Sequence, residues 1–254
     1  MITVKNISDY IDSIAPYSSK CEWDNCGVLV GDKDKEVKKI GFALDLTSEV
    51  LDNAKENNVD LLITHHPIIF RPVKSFLKGN LAYELAVSGI TAISAHTSFD
   101  CAKGGVNDVL CDLLGITNTE GVPDEECPVP MARIGEIEPM RSSDFAKKVA
   151  DVLGTACRVA DGENLIKKVA VCGGSGPDDL LFSAASMGAD AVVTGEIKYH
   201  IFLAAKEMGV TAIQAGHFET ENPAVSALMK YINNEFNDVE CVLLKQTNPT
   251  KIIG

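Results

Sequence analysis

The stretch Asn58-Val59-Asp60-Leu61-Leu62-Ile63-Thr64 decides the fold, because a second version of it, Gly188-Ala189-Asp190-Ala191-Val192-Val193-Thr194, follows 130 residues later. Each copy ends in a short apolar run that is typical of a buried β-strand. Two further pairs of segments match in the same order: residues 38–43 resemble residues 167–172, and residues 89–93 resemble residues 209–213. Three matches in one order predict the duplication of a β-α-β-α-β unit.

Helix start signals separate the predicted strands. Thr47-Ser48, Ser142-Ser143 and Asn222-Pro223 are expected to begin helices that reach about residues 57, 153 and 236. Strands alternating with helices predict an α/β fold with mixed or mostly parallel sheets. Proline, glycine and an acidic run interrupt the pattern at residues 121–131, which favours a domain crossing there. We therefore predict a first domain of residues 1–125 plus 218–254 and a second domain of residues 126–217.

Composition narrows the class of protein. With 254 residues and 46% hydrophobic content, the chain can bury a substantial core. Its apolar runs are far shorter than the roughly 20 residues that span a bilayer, so no membrane association and a cytoplasmic location are expected. The formal net charge of −13 disfavours nucleic acid as a partner. Arg71, Lys74 and Lys78 are better suited to a small anionic substrate such as a nucleotide.

Eight cysteines are present without a C-x-x-C pair, and most lie singly in apolar segments. We predict reduced, structural thiols, as expected in the cytosol. Cys101 adjoins a carboxylate that is a candidate metal ligand, so a ligand or redox role for this thiol also stays open.

Four of the five histidines directly follow predicted strands: His65, His66, His96 and His217. Asp100 lies four residues after His96, and Glu221 lies four residues after His217. Ligand sites gather beyond the carboxyl ends of strands in open α/β sheets. Imidazole and carboxylate groups bind Zn, Fe, Mn, Co or Ni, and a carboxylate can bridge two ions. The six side chains therefore predict a site for two divalent ions. Adjacent strand residues face opposite ways, but Pro67 turns the chain after His66.

Three other features have competing interpretations. The turn Gly173-Gly174-Ser175-Gly176 is either a phosphate cradle or a tight strand-to-helix turn. Trp23, the only tryptophan, is interpreted first as a core anchor and second as a subunit contact or a lining residue of the site. His200, in a helix-like segment of residues 199–208, is either a surface residue or part of the site.

Six segments together resemble the Nif-three-like family, whose members are widely labelled GTP cyclohydrolase I type 2 homologs. They are Trp23-Asp24-Asn25-Cys26-Gly27, Thr64-His65-His66-Pro67 through Lys74, His96-Thr97-Ser98-Phe99-Asp100, Cys172-Gly173-Gly174-Ser175-Gly176, Thr194-Gly195-Glu196 with Lys198-Tyr199-His200, and Gly216-His217-Phe218-Glu219-Thr220-Glu221. The resemblance implies two related three-layer α/β domains, a toroidal homohexamer and dinuclear metal centres. The implied ligands are His65, His66, His96, Asp100, His217 and Glu221, whereas Glu219 is not expected to bind metal.

The leading functional hypothesis is metal-dependent hydrolysis, such as ring opening of a purine nucleotide like GTP. Glu196, Tyr199 or His200 would transfer protons, and Lys74 with Arg71 would hold the substrate phosphate. One alternative is a non-enzymatic, metal-containing ring that binds a protein or nucleic-acid partner. Another is metal storage or delivery.

Overall fold

A computed structural model describes residues 1–124 and 127–252 of the chain. Eleven strands lie in these ranges: β1 Gly27–Val30, β2 Lys39–Ala43, β3 Leu61–Thr64, β4 Thr91–Ser94, β5 Thr117–Gly121, β6 Arg133–Arg141, β7 Arg158–Ala160, β8 Leu165–Cys172, β9 Ala191–Thr194, β10 Thr211–Gln214 and β11 Glu240–Leu243. The helices are α1 Val4–Ile14, α2 Ser48–Glu56, α3 Leu81–Val87, α4 Thr97–Cys101, α5 Val106–Leu114, α6 Ser142–Leu153, α7 Leu180–Ser186, α8 Tyr199–Met208 and α9 His217–Glu235.

The chain forms two compact units. The first contains Met1–Lys103 and Ala224–Thr250, and the second is built on Gly104–Pro223. The sequence placed the first crossing at residues 125 and 126, which lie outside the described residues. The structure places it about 20 residues earlier, because β5 pairs with β6 in the sheet of the second unit. The return to the first unit lies at Ala224 within α9, about six residues after the predicted position at residue 218.

The two sheets share a central arrangement that confirms the predicted duplication. The first sheet has the strand order β1-β4-β3-β2-β11, and the second has the order β5-β6-β8-β9-β10-β7. In the first, β2, β3 and β4 are parallel neighbours and β1 joins β4 in the antiparallel sense. In the second, β8, β9 and β10 are parallel neighbours and β7 joins β10 in the antiparallel sense. The fold is α/β with two mixed sheets, as predicted.

The aspartate shared by the two copies, Asp60 in the first and Asp190 in the second, has the same structural role in each. The carboxylate of Asp60 accepts hydrogen bonds from the backbone N–H groups of Lys38 and Lys39, where β2 begins. Asp190 accepts the same two bonds from Lys167 and Lys168 in β8. Each aspartate thus fixes the first parallel strand of its unit against the start of the second.

The central strands β3, β4 and β9 are buried along their whole length, as expected where helices cover both faces of a parallel sheet. Thr47 caps α2 by accepting a hydrogen bond from the N–H of Val50, as the sequence indicated. In α6, however, Arg141 occupies the N-cap position and Ser142 is the first helical residue.

The predicted start of the last helix at Asn222-Pro223 was wrong. Helix α9 begins at His217 and carries Pro223 inside it. The N–H of Thr220 already bonds to the carbonyl of Gly216, so the helix is established before the proline. Because Pro223 lies in its second turn, the missing N–H removes one hydrogen bond without ending the helix.

Six cysteines carry free thiols, which agrees with the prediction for Cys101, Cys111, Cys157, Cys172, Cys241 and Cys26. Cys21 and Cys127 depart from it, because both are disulfide-bonded. Neither sits in a spacing pattern that marks a disulfide.

Within residues 1–124 and 127–252, no helix is long and apolar enough to cross a membrane.

Candidate metal centre

Three histidines meet at the carboxyl edge of the first sheet. His65 and His66 follow β3, and His96 follows β4, the neighbouring parallel strand. Ring centroids lie 5.1 Å apart for His65 and His66, 5.1 Å for His65 and His96, and 5.5 Å for His66 and His96. One ring nitrogen of each lies within 4.8 Å of the other two, a spacing that can hold a metal ion.

Each of the three imidazoles bonds through Nδ1 to an oxygen that can only accept a hydrogen bond. His65 donates to the carbonyl oxygen of Ala95 at 2.9 Å, His66 to Asp45 at 2.6 Å, and His96 to Asp24 at 2.8 Å. The proton must therefore reside on Nδ1, which leaves the Nε2 lone pair for a metal ion. Neutral imidazoles held in this tautomer are the form in which histidine binds divalent ions.

Asp24 is the most strongly bonded of these acceptors, and its side chain is fully buried. Besides His96, its carboxylate accepts hydrogen bonds from the N–H and the hydroxyl of Thr97, at 3.0 and 2.5 Å, and from the thiol of Cys26 at 3.1 Å. Burial on its own raises the pKa of this carboxyl. The hydrogen bonds that the carboxylate accepts from His96, Thr97 and Cys26 outweigh burial and hold the pKa of Asp24 well below its usual range. The carboxylate stays ionised and keeps His96 oriented.

Asp45 is held from the far end of the chain. Its second oxygen accepts a 2.9 Å hydrogen bond from the side-chain amide of Gln246. The amide oxygen of Gln246 in turn accepts from the backbone N–H groups of Leu44 and Asp45. Gln246, three residues beyond β11, thus fixes the position of the carboxylate that orients His66.

The carboxylate of Asp100 lies beside one of these three histidines. Asp100 lies in α4, one turn after His96, and is 5% exposed. Its Oδ1 is 3.6 Å from Nε2 of His65. Three imidazoles and one carboxylate at these positions match the ligand chemistry of first-row divalent metals.

The second unit has a corresponding pair. His217 follows β10, and its Nε2 lies 3.1 Å from Oε2 of Glu221, one helical turn further along α9. The Nδ1 of His217 bonds at 2.8 Å to Glu196, which follows β9. His217 is therefore held in the same tautomer as the other three histidines. Glu196, predicted as a proton-transfer group, lies where it orients a histidine.

Glycines allow the chain to pack closely around this pair. A Cβ added to Gly174 would lie 1.9 Å from Oε1 of Glu221 and 3.0 Å from Nε2 of His217. A Cβ on Gly195 would lie 2.5 Å from the carbonyl oxygen of Gly174 and 2.7 Å from Cα of His217. Both positions therefore exclude any side chain, which explains why residues 174 and 195, which pack against Glu221 and His217, are glycines.

The turn of residues 173–176 is better explained as a tight turn than as a phosphate cradle. Three of its four N–H groups bond inside the protein: Gly173 to Asn107 at 2.7 Å, Gly174 to Thr220 at 3.0 Å, and Gly176 to Thr194 at 3.2 Å. Donors already engaged in this way are not available to a phosphate.

The remaining predicted residues lie on the surface. Tyr199 and His200 begin α8 and are exposed, with Tyr199 at 72%. Lys74 lies in the exposed loop of residues 71–80, together with Arg71 and Lys78. Their expected roles in proton transfer and in phosphate binding therefore stay predictions.

Trp23 is not the core anchor that the sequence favoured. Its side chain is 48% exposed, and its ring lies 5.9 Å from His96 and 5.8 Å from Phe70.

The sequence reasoning also missed the roles of Asp24, Asp45 and Gln246. Asp24 lies in a quoted motif and Asp45 just beyond β2, so their positions carried a signal, whereas Gln246 carried none.

A pocket of about 370 Å³ borders His66. Its lining includes Asp45, Pro67 and Ile68 on one side and Asn80 and Leu81 on the other. This volume falls in the range of roughly 300–1,000 Å³ that is usual for small-molecule sites. Space for a substrate-sized ligand therefore lies beside a histidine of the candidate metal centre.

Comparisons with known proteins identify the family of the chain and agree with its fold. Residues 2–249 match the Duf34/NIF3 (NGG1p interacting factor 3) family. A Clostridium perfringens protein called GTP cyclohydrolase 1 type 2 homolog is 33% identical over 96% of both chains, and one of the same name from Clostridium acetobutylicum is 31% identical over 97% of both. Among solved structures, a Staphylococcus aureus protein has a TM-score of 0.90 at 27% identity and covers 99% of both chains. Reduced HcgD from Methanocaldococcus jannaschii has a TM-score of 0.85 at 28% identity, covering 96% of this chain and 98% of its own. The fold, the motifs and the full-length match together show that this chain belongs to the Duf34/NIF3 family.

Proposed function

We propose that the protein is a metal-dependent hydrolase that binds two divalent ions per chain and acts on a nucleotide-like substrate. His65, His66, His96 and Asp100 of the first unit and His217 and Glu221 of the second are the proposed ligands. The observation that carries the proposal is the shared state of the four imidazoles. Each bonds through Nδ1 to a hydrogen-bond acceptor, so each presents Nε2 as a lone pair.

A structural role for the histidines does not explain this arrangement as well. Three rings converge with one nitrogen of each within 4.8 Å of the others, and a buried carboxylate lies near Nε2 of His65 and another near Nε2 of His217. Such converging donors, with the opposite ring nitrogen fixed, are typical of metal sites.

Bound divalent ions would supply Lewis-acid activation of water and of the substrate. The chain itself contributes orientation: Asp24, Asp45 and Glu196 each fix one ligand histidine. The pocket beside His66 gives the substrate room, and Lys74 with Arg71 is proposed to neutralise its phosphate. Tyr199 and His200 are the proposed proton-transfer groups, since their exposed side chains follow Glu196 by three and four residues.

Metal analysis and product analysis test the proposal. Purified protein should contain two divalent ions per chain, and His66→Ala should lose most of this metal, whereas His200→Ala should retain it. GTP incubated with the Zn-, Mn- or Fe-loaded protein should release formate if the reaction is a cyclohydrolase ring opening. Unchanged metal content in the His66 variant would refute the site. Full metal content without turnover of any nucleotide would favour the non-enzymatic, partner-binding alternative.

We also propose that the chain assembles with copies of itself, as the family resemblance implies for a homohexamer. The exposed apolar side chains of α8 support this proposal, because Leu203 is 53% and Met208 is 43% exposed on a helix in which Ala205 is the buried residue. Light scattering coupled to size-exclusion chromatography should give six times the 27.2 kDa chain mass. A monomer at micromolar concentration would contradict this assembly.

A further inference from the structure

We infer that Trp23 and Phe70 form a stacking platform for the planar heteroaromatic ring of the substrate, with its phosphate chain held by Arg71, Lys74 and Lys78. The inference rests on the proposed function for the class of substrate and adds the residues that recognise the ring. Neither aromatic residue is needed to bind metal, so the platform can be tested separately from the metal centre.

Both rings are exposed next to a candidate metal ligand. Trp23 is 48% and Phe70 is 44% exposed, and their ring centroids lie 5.9 and 6.4 Å from that of His96. The two rings are tilted by 58° to each other at 5.8 Å, so they form an open angle instead of covering each other's faces. Exposed aromatic rings beside a metal centre are suited to stacking on a flat ring, which every nucleobase has.

The pair is held in place by the chain around it. The side-chain amide of Asn25 donates a 2.6 Å hydrogen bond to the carbonyl of Ile69, which joins the loop of Trp23 to the loop of Phe70. Asp24, directly after Trp23, bonds to His96 and Thr97. The platform is therefore fixed relative to the imidazole of His96 rather than carried on independent loops.

The positive charge of the loop that follows Phe70 favours an anionic ligand. Arg71, Lys74 and Lys78 follow Phe70 within eight residues, are exposed, and form no ion pair with any residue in the described ranges. Three unneutralised cations in one loop stand out in a chain with a net charge of −13. An aromatic platform followed in the chain by a cationic loop suits a ring that carries phosphates, and the alternative occupant, an aromatic side chain from another protein, would not need the cations.

Because Trp23 is the only tryptophan, its fluorescence reports on the platform directly. Zn²⁺-loaded protein is titrated with GTP, guanosine and inorganic triphosphate, with excitation at the red edge of the indole band. GTP and guanosine should quench the emission, GTP at lower concentration, while triphosphate should compete with GTP without quenching. Phe70→Ala should weaken GTP binding about ten-fold, in line with the usual value of one base stacked on an aromatic ring.

Two sets of variants separate the ring from the phosphates. Phe76→Ala is the matched control, because Phe76 is exposed in the same loop but its ring neighbour is Tyr83, at 6.3 Å, and it should bind GTP within about two-fold of wild type. Neutralising Arg71, Lys74 and Lys78 together should weaken GTP and leave guanosine unchanged. The inference fails if Phe70→Ala binds GTP like wild type, if triphosphate alone quenches as GTP does, or if emission changes with protein concentration and not with ligand.

Metal content measured on the same samples distinguishes this failure from failure of the proposed function. Protein that holds its Zn²⁺ while GTP leaves the Trp23 emission unchanged would refute the platform alone. Quenching by GTP in protein that binds no metal would support the platform and refute the metal centre.

Discussion

Oδ1 of Asp45 lies 2.6 Å from Nδ1 of His66, and the same carboxylate is held on its other oxygen by Gln246. A hydrogen-bond acceptor behind a metal-binding histidine fixes its tautomer and raises the basicity of its free nitrogen. Because Asp45 already holds the imidazole of His66 in place, this ring does not have to be ordered when a metal ion binds. Substitutions behind the ligands are therefore expected to weaken metal binding without changing the ligands themselves.

Asp45→Asn should lower the affinity for Zn²⁺ by about 10- to 100-fold, because the amide is a weaker acceptor for Nδ1–H of His66. Competition with a chromophoric chelator measures this affinity. Asp52→Asn is the control, since Asp52 is an exposed carboxylate on α2 that pairs with Lys55. Equal affinities for the two variants would argue that Asp45 does not support a ligand.

Gly174→Ala should impair metal binding more than Gly154→Ala. Both glycines have a left-handed conformation, with φ of +63° and +65°, so the backbone cost of about 1–2 kcal/mol is shared. A Cβ at Gly154 meets no atom within 4 Å, whereas one at Gly174 collides with Glu221. Metal content by mass spectrometry should fall in the Gly174 variant only. A similar loss in both variants would point to general destabilisation.

His200→Ala should lower kcat on a nucleotide substrate by a factor of about 10²–10⁴, the usual value of a positioned proton-transfer group. Metal content and melting temperature should not change, because the side chain is exposed. Glu207→Ala, exposed near the other end of α8, controls for effects on the helix. Wild-type kcat in the His200 variant would remove this residue from the proposed chemistry.

Tyr17 gives a prediction about pH. Burial is the largest influence on its phenol and raises the pKa from 10.0 to about 12. Between these two values the unfolded chain loses the phenol proton while the folded chain keeps it, so ionisation favours unfolding. The stability linked to Tyr17 is complete below pH 10 and is lost as the pH rises towards 12. Tyr17→Phe should therefore show a smaller fall in melting temperature over this interval than wild type.

The arrangement of the parallel strands could be predicted because it is encoded locally and twice. Asp60 and Asp190 occupy equivalent positions in matching segments, and both make the same pair of backbone hydrogen bonds. The positions of His65, His66 and His96 at one sheet edge follow from that arrangement, because parallel neighbours end at the same edge. Strand order and strand ends were therefore sufficient to bring three of the proposed ligands together.

Other features depend on partners distant in sequence and had no local signal. The boundary of the first unit was misplaced because β5 is a short, largely exposed strand whose unit is decided by pairing with β6. Trp23 was interpreted as a core residue from its residue type, but the bonds that position its loop come from His96 and Thr97, more than 70 residues away. The start of α9 was missed because Pro223 resembles a first-turn proline although the helix is already formed before it.

The dependence of His66 on Gln246 has a consequence for biosynthesis. As the ribosome adds residues in order, the second unit, residues 104–223, emerges whole before the strand β11 that completes the first sheet. A nascent chain that has not yet exposed residue 246 carries its cluster of imidazoles without the amide that steadies Asp45. Capture of metal in the mature geometry is thus expected only after residue 246 has left the ribosome, which protects an unfinished polypeptide from locking cations into an incomplete fold.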